Sequence, residues 1–179
     1  MTRTFYSRLL GARFEILPTV IRDMHTSCAK AAGRAKLTRG SSPLARLICA
    51  LARMPQSGDD VSVETVFEPI ENGERWTRTF NGQSFQTDLV RSGDAPGDQL
   101  TERFGPFSFR LRITAHEHGV DLMPEGVSLF GVMPLPRMLC PEAIGLERMR
   151  DGRYYFDVSV RFPLAGDVMH YEGWLEPVA

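Results

Sequence analysis

Residues 74–85, ERWTRTFNGQSF, show the pattern that decides the fold. Trp76, Arg78 and Phe80 alternate with other residues, and a period of two predicts a β-strand with one buried face. The dipeptide NG at 81–82 is a strong signal for a tight hairpin turn, and a second strand follows it. This stretch therefore predicts two neighbouring antiparallel strands.

The period of two begins after Gly58 and continues through the rest of the chain. Short turns join antiparallel neighbours, and no helix long enough for a parallel crossover separates the strands. We expect roughly eight to nine strands, and an antiparallel sheet of that size usually curls into a barrel or a sandwich. Besides the hairpin, the predicted strands lie near residues 61–67, 100–104, 107–113, 120–123, 154–162 and 168–175.

The first third of the chain carries its apolar residues at helical spacing instead. Two helices precede a third, which begins at Pro43 with Ser41 or Ser42 as its N-cap and ends before Pro55. Between them, residues 35–38 are compatible with either a helix or a strand.

We therefore predict a single α+β domain over residues 1–179, mainly helical over 1–56 and antiparallel β over 57–179. Its centre is a strongly curved antiparallel sheet or barrel of roughly eight to nine strands. The N-terminal helices pack on it, either on the outer face or across a barrel mouth.

Composition excludes several classes of function. The 179 residues are 42% hydrophobic and carry a net charge of −1, which is typical of a globular domain and gives no basic surface for nucleic acid. Three widely spaced cysteines without a CxxC pair indicate a reducing cytoplasm rather than a disulfide framework or a zinc site. We see no signal peptide and no apolar run long enough for membrane insertion. The GxSxG, P-loop, GxGxxG and HExxH motifs are absent, so we predict no cofactor and favour a protein that is not an enzyme.

Arg78 is the most informative residue in the chain, because it shares a predicted face with Trp76 and Phe80. Burying a guanidinium without a partner is costly. Glu102 alternates with Leu100 and is aimed inward in the same way. Arg78 either pairs with Glu102 and fixes the strand register, or binds the acidic group of a ligand inside the barrel, as in intracellular lipid-binding barrels.

The histidines give weaker signals. His116 and His118 form an HxH pair at strand spacing, which is compatible with a metal site but more typical of a polar turn. His25 lies near the end of a predicted helix, where a cation interacts favourably with the helix dipole. His170 alternates with Trp174, so it is either a hydrogen-bonded core histidine or a catalytic group.

The segment 126–141, GVSLFGVMPLPRMLCP, contains too many apolar residues for a solvated loop. Pro134 and Pro136 exclude a central strand or a helix interior. We expect either a buried edge connection or a lid over an apolar cavity, with Arg137 at its rim.

Several fragments together resemble the uncharacterised bacterial family known as domain of unknown function number 4166. The resemblance runs from about Leu10 to Leu175, and its most specific part is the W-x-R-x-F-x-G-x-x-F pattern that begins at Trp76. It implies no established activity. Because such domains also occur next to dehydrogenase-like or membrane segments, it implies a ligand-binding or accessory module. The fragments are residues 10–25, 74–85, 102–109, 131–141 and 170–175.

Three hypotheses for the function remain open. The leading one is a non-enzymatic binding module whose apolar cavity takes a small acidic or lipid-like ligand. The second is an enzyme in which Arg78, Glu102 and His170 surround a small pocket. The third is a structural or interaction domain whose apolar segment 126–141 docks onto a protein partner. The candidate ligand-binding residues are Trp76, Arg78, Phe80, Glu102, Arg137 and His170.

Overall fold

A computed structural model describes residues 4–92 and 98–178. Over these residues, ten antiparallel strands form a closed barrel, and one two-residue strand pairs outside it. The strands are β1 (Lys30–Arg39), β2 (Gly58–Ile70), β3 (Gly73–Phe80), β4 (Gln83–Arg91), β5 (Gln99–Phe104), β6 (Phe107–His116), β7 (Gly119–Leu129), β8 (Met133–Pro134), β9 (Glu142–Arg150), β10 (Arg153–Phe162) and β11 (Gly166–Pro177).

The barrel closes because β7 pairs with β6 on one side and with β9 on the other. The order around the ring is that of the sequence with β8 left out, and β1 lies between β2 and β11. The predicted antiparallel barrel is confirmed, but the expected eight to nine strands were too few. Two strands lie outside the predicted set: β1, which is rich in alanine and contains Gly33, and β9, which has only a weak alternation of apolar residues.

The alternation predicted for β3 is confirmed. Trp76 and Phe80 are buried, and Arg78 lines the interior of the barrel. On the opposite face of the same strand, Arg75 forms a bidentate ion pair with Asp88 of β4. Because successive side chains of a strand point to opposite faces, this one strand presents a cation to each side of the barrel wall.

Short helices lie at both ends of the barrel. At one end, which we call the N-helix end, α1 (Phe5–Leu10), a 3₁₀ helix (Gly11–Ile16) and α2 (Thr19–Thr26) precede β1, and α2 packs against β9 and β10. At the other end, which we call the α3 end, α3 (Pro43–Leu51) packs against β11 and β1. The helices were expected on the outer face or across a mouth, and the structure places them at the two mouths. None of the described helices has the length and apolar character needed to cross a bilayer.

The α3 end comprises five connections in the described part of the chain: residues 40–57, 81–82, 105–106, 130–141 and 163–165. Fewer neighbouring strands are paired near this end. The β4–β5 and β7–β9 ladders each contain four residue pairs, and both lie toward the N-helix end. The barrel wall is therefore continuous near the N-helix end and less complete near the α3 end, where α3 covers the interior.

The start of α3 is fixed by a capping residue. The Ser42 hydroxyl accepts a hydrogen bond from the Ala45 backbone N–H at 3.1 Å and donates one to the Ala165 carbonyl at 2.6 Å. The first satisfies a free helix N–H, as predicted from the sequence. The second joins α3 to the turn between β10 and β11.

Replacing Ser42 with alanine removes both hydrogen bonds, and we expect it to lower the free energy of unfolding by about 1–2 kcal/mol. Ser41→Ala is the matched control, because Ser41 is exposed and precedes the cap. Urea unfolding followed by circular dichroism measures the difference. Equal stability of the two variants would contradict the assigned cap.

Candidate functional site

The interior of the barrel contains two adjacent cavities that share Val158 and Tyr171 as lining residues. The first measures about 40 Å³ and is lined by polar as well as apolar side chains, among them Thr65 and Arg78. The second measures about 80 Å³, lies toward the α3 end and is mostly apolar. We call them the arginine cavity and the apolar cavity.

Arg78 is held in the wall of the arginine cavity by its neighbours on β3 and β4. One guanidinium nitrogen donates a hydrogen bond to the Thr87 hydroxyl at 3.0 Å. The guanidinium carbon lies 4.7 Å from the centre of the Trp76 ring and 5.8 Å from that of Phe85. Cation–π contacts of this kind contribute about 0.5–2 kcal/mol each. They orient the cation and leave most of its five N–H donors for other acceptors.

The predicted ion pair between Arg78 and Glu102 is not formed. Within residues 4–92 and 98–178, no carboxylate oxygen lies within 4.0 Å of the Arg78 guanidinium. Glu102 does point inward, as the alternation predicts, but it lines the apolar cavity beside Thr87. The predicted inward orientation of both side chains is therefore confirmed, but the predicted ion pair between them is wrong.

Trp76 and Phe80 form the apolar surroundings of this cation. The Trp76 indole N–H donates a hydrogen bond to Glu74 at 2.6 Å, so its polar edge is satisfied. Phe80 stacks on Phe85 at 6.0 Å and meets Tyr171 edge-on at 5.3 Å. Both rings are more than nine-tenths buried, whereas Arg78 itself is half-buried.

A second group of polar side chains, which the sequence did not predict, lies at the N-helix end. The Glu147 carboxylate accepts a hydrogen bond from the Tyr6 hydroxyl at 3.0 Å and pairs with His25 Nε2 at 2.8 Å. The His25 ring stacks on Tyr6 with centroids 3.6 Å apart. Glu147 also lines the arginine cavity. This cluster fastens both N-terminal helices to β9 through one buried carboxylate.

His25 lies in the last turn of α2, as predicted, but its side chain is buried and pairs with Glu147. Helical spacing contained the signal: His25 follows Ile21 by four residues and so continues the buried side of α2. Glu147 stands between Leu146 and Arg148 in a strand of weak periodicity. Nothing in that pattern marked it as inward.

Burial changes the acid–base properties of the interior tyrosines. Burial raises the pKa of Tyr6 and of Tyr154 well above the usual value, and the nearby Glu147 carboxylate raises both further. Burial also raises the pKa of Tyr171, while the positive charge of Arg78 opposes this effect. The pKa of Glu74 is raised by burial as well. The three tyrosine hydroxyls are protonated at neutral pH, as is usual for tyrosine, and burial extends this range to higher pH.

His170 lies on the outer surface of the barrel. Its neighbour Tyr171 lines both cavities, so His170 points to the other face, where it hydrogen-bonds Asp157 at 2.9 Å. The arrangement of Arg78, Glu102 and His170 around one pocket is therefore not formed. Asp157, His170 and Glu172 bring three potential ligand atoms within 4.8 Å of one another. We assign no metal to them, because His170 already pairs with Asp157 and half-exposed acidic groups commonly cluster without an ion.

The segment 126–141 is neither a buried connection nor a lid over the interior. Val127 is buried and Leu135 is half-buried, but five apolar residues further along are exposed: Phe130, Val132, Met133, Met138 and Leu139. Arg137 is exposed and lines an open groove on the outside with Arg110 and Glu142. It is not among the residues that line either interior cavity. The expectation of a buried edge was wrong because β7 leaves β9 before this segment begins.

The protein thus presents an inward cation and two small cavities, with Tyr154 and Tyr171 among their lining residues. A family model for a domain of unknown function (DUF4166) matches residues 17–175. The chain belongs to this DUF4166 family. The resemblance noted from the sequence is therefore confirmed. Searches of curated proteins and of solved structures found no match.

Membership assigns no chemistry to this DUF4166 domain, so its site is defined by geometry alone. The W-x-R-x-F pattern of the sequence corresponds to the inward row Trp76, Arg78 and Phe80 of β3. The donors near the arginine cavity suit an anion, and the apolar cavity suits a hydrocarbon group.

We expect Glu147→Gln to lower the free energy of unfolding by about 1–3 kcal/mol. The amide nitrogen that replaces one carboxylate oxygen cannot accept a hydrogen bond, so one buried partner in the Tyr6–Glu147–His25 cluster is left unsatisfied. Glu176→Gln is the matched control, since Glu176 pairs with Arg153 at 2.8 Å on the exposed surface. Its cost should be below about 1 kcal/mol. Urea denaturation measures the free energy of unfolding of both variants. Equal decreases would show that the buried cluster stabilises the fold no more than an exposed ion pair does.

The raised pKa values of the tyrosines predict loss of stability at high pH. Tyr6, Tyr154 and Tyr171 ionise near pH 10.0 in the unfolded chain and at higher pH in the barrel. Above pH 10 the unfolded state therefore binds fewer protons, and the free energy of unfolding falls as the pH rises toward the folded-state values. Absorbance at 295 nm should show these phenolates only as circular dichroism reports unfolding. Their ionisation in the intact barrel near pH 10 would contradict the prediction.

Proposed function

We propose that the protein is a binding module that holds a small acidic molecule inside the barrel, with Arg78 as the partner of the acidic group. The observation that carries this proposal is the inward guanidinium that forms no ion pair within 4.0 Å with any described carboxylate, although Glu147 lines the same cavity. Arg78 is half-buried, so its guanidinium loses part of its hydration, and one threonine hydrogen bond with two ring contacts offsets only part of that cost. A ligand with an acidic group would supply the partner that the Arg78 guanidinium lacks.

The surroundings of Arg78 favour an anion. Tyr154 and Tyr171 are buried beside the cation, and their raised pKa values keep their hydroxyls protonated. A planar carboxylate or a phosphate accepts two parallel hydrogen bonds from a guanidinium. The neutral Tyr171 hydroxyl adds a donor without adding charge, while the Tyr154 hydroxyl already bonds to Glu147.

The size of the cavities limits the ligand. At about 40 and 80 Å³ they are well below the roughly 300–1,000 Å³ typical of a pocket for a drug-sized molecule. A small acid with a short hydrocarbon group therefore fits better than a complete lipid. Glu102 lines the apolar cavity without a hydrogen-bond partner among the described residues, so a ligand that reaches it would offer a donor such as a hydroxyl or an amine.

The route to the cavities lies at the α3 end. Ile48, Ala52 and Met54 line the apolar cavity from outside the barrel wall. The N-helix end is blocked by the Tyr6–Glu147–His25 cluster, whose members are all more than nine-tenths buried. A ligand would thus enter beside α3 and place its acidic group deeper, at Arg78.

Arg78→Met tests this function. We expect the variant to be as stable as the wild type or more stable by up to about 2 kcal/mol, because an uncompensated cation is replaced by a hydrocarbon of similar length. It should also lose any acid detected by native mass spectrometry in freshly purified wild-type protein, and the rise in melting temperature that hexanoate produces. Palmitate should give a smaller rise in the wild type than hexanoate.

Arg75→Met is the control, since Arg75 lies on the same strand and points outward. It should retain both the bound acid and the response to hexanoate. Marked destabilisation by Arg78→Met, together with no bound acid in the wild type, would assign Arg78 a structural role and end the proposal.

A further inference from the structure

The exposed apolar residues are concentrated at one end of the barrel. Of the thirteen large apolar side chains that are exposed in the described part of the chain, nine belong to connections at the α3 end. Their exposed fractions run from 40% to 83%. They are Leu44, Leu47, Leu51, Phe130, Val132, Met133, Met138, Leu139 and Leu164.

These connections are held together as one surface. The Ser42 hydroxyl bonds to Ala165 and so joins α3 to the turn that carries Leu164. The Phe130 backbone N–H donates to the Pro106 carbonyl at 2.7 Å and joins segment 126–141 to the β5–β6 turn. The rings of Phe107 and Phe162, 5.7 Å apart, connect these two halves. We call this the apolar end surface.

The charges on the same connections are all positive. The five connections contain three arginines, Arg46, Arg53 and Arg137, and no lysine, aspartate or glutamate. All three arginines are exposed, and none forms an ion pair with a described residue. The nearest acids in sequence begin the adjoining strands, and three of them are already paired: Asp59 with Lys36, Asp60 with Arg34 and Asp167 with Arg161. Glu142 is the fourth, and it has no ion-pair partner among the described residues.

We propose that the apolar end surface docks onto the surface of an anionic lipid bilayer. Protruding leucine, phenylalanine and methionine side chains enter the boundary between headgroups and acyl chains, and arginines beside them attract anionic lipids. The side chains with the highest exposure, among them Leu51, Val132 and Leu164, stand on separate connections. Separate protruding tips suit a fluid lipid boundary better than the close packing of a protein interface.

This surface is independent of Arg78, which lies inside the barrel. It would act whether or not a ligand binds there. If both proposals hold, docking would bring the less complete end of the barrel, and with it the apolar cavity, against the membrane.

Vesicle co-sedimentation tests the docking. Wild-type protein should bind vesicles of phosphatidylserine and phosphatidylcholine at least tenfold more tightly than vesicles of phosphatidylcholine alone, and added salt should weaken binding. Leu51→Glu combined with Leu164→Glu should reduce binding at least tenfold. Changing Arg46, Arg53 and Arg137 to serine should reduce binding by about fivefold for each arginine.

The control changes two exposed apolar residues at the N-helix end, Met149→Glu combined with Val178→Glu, and should leave binding unchanged. Circular dichroism verifies that every variant is folded. The proposal is overturned if the wild type does not prefer anionic vesicles, or if the leucine variant binds as well as the control. It is also overturned if the wild type is a dimer that the leucine variant converts to a monomer without any vesicle binding, because the surface would then be a protein interface. Loss of hexanoate binding in Arg78→Met leaves this result unaffected, so the two proposals fail separately.

Discussion

One buried carboxylate connects the helical part of the protein to the barrel. Glu147 accepts a hydrogen bond from Tyr6 of α1 and pairs with His25 of α2, and all three side chains are almost fully excluded from water. Because a buried carboxylate is tolerated only when its partners are in place, the positions of the two helices and of β9 depend on one another. The N-helix end is covered as a result of this dependence.

The pattern of the sequence predicted the barrel but not its full extent. A period of two is readable where large side chains alternate with polar ones, as in Trp76, Arg78 and Phe80 of β3. It fails in β1, where small inward residues such as Ala31 and Ala35 give no contrast, although residues 35–38 were recognised as ambiguous. Closure itself depends on pairing between distant strands, which no local pattern encodes.

For the candidate site, the sequence predicted which side chains point inward but not which of them are in contact. Alternation is sufficient to aim Arg78 and Glu102 inward, because it depends on the strand alone. Whether the two groups meet depends on the ring position of β3 and β5, and β4 lies between them. The importance of His25 and Glu147 arises only when the ends of the chain come together, so the sequence could assign them only local roles. The predictions of a cytoplasmic location, of a single domain and of an accessory role beside a dehydrogenase-like partner remain predictions.

The pairing of β1 with β11 has a consequence for the folding of the chain. The partners of Lys30–Arg39 on one side lie at residues 169–177, and the partner of Tyr6 lies 141 residues away. Contacts of such high sequence separation make folding slow, since a large loss of chain entropy precedes any gain from them. During synthesis one edge of β1 stays unpaired until β11, more than a hundred residues later, has been made. Unpaired edges of this kind favour aggregation. The same ring closure that pairs both sides of β1 in the finished barrel therefore makes the nascent chain dependent on rapid completion or on chaperone protection.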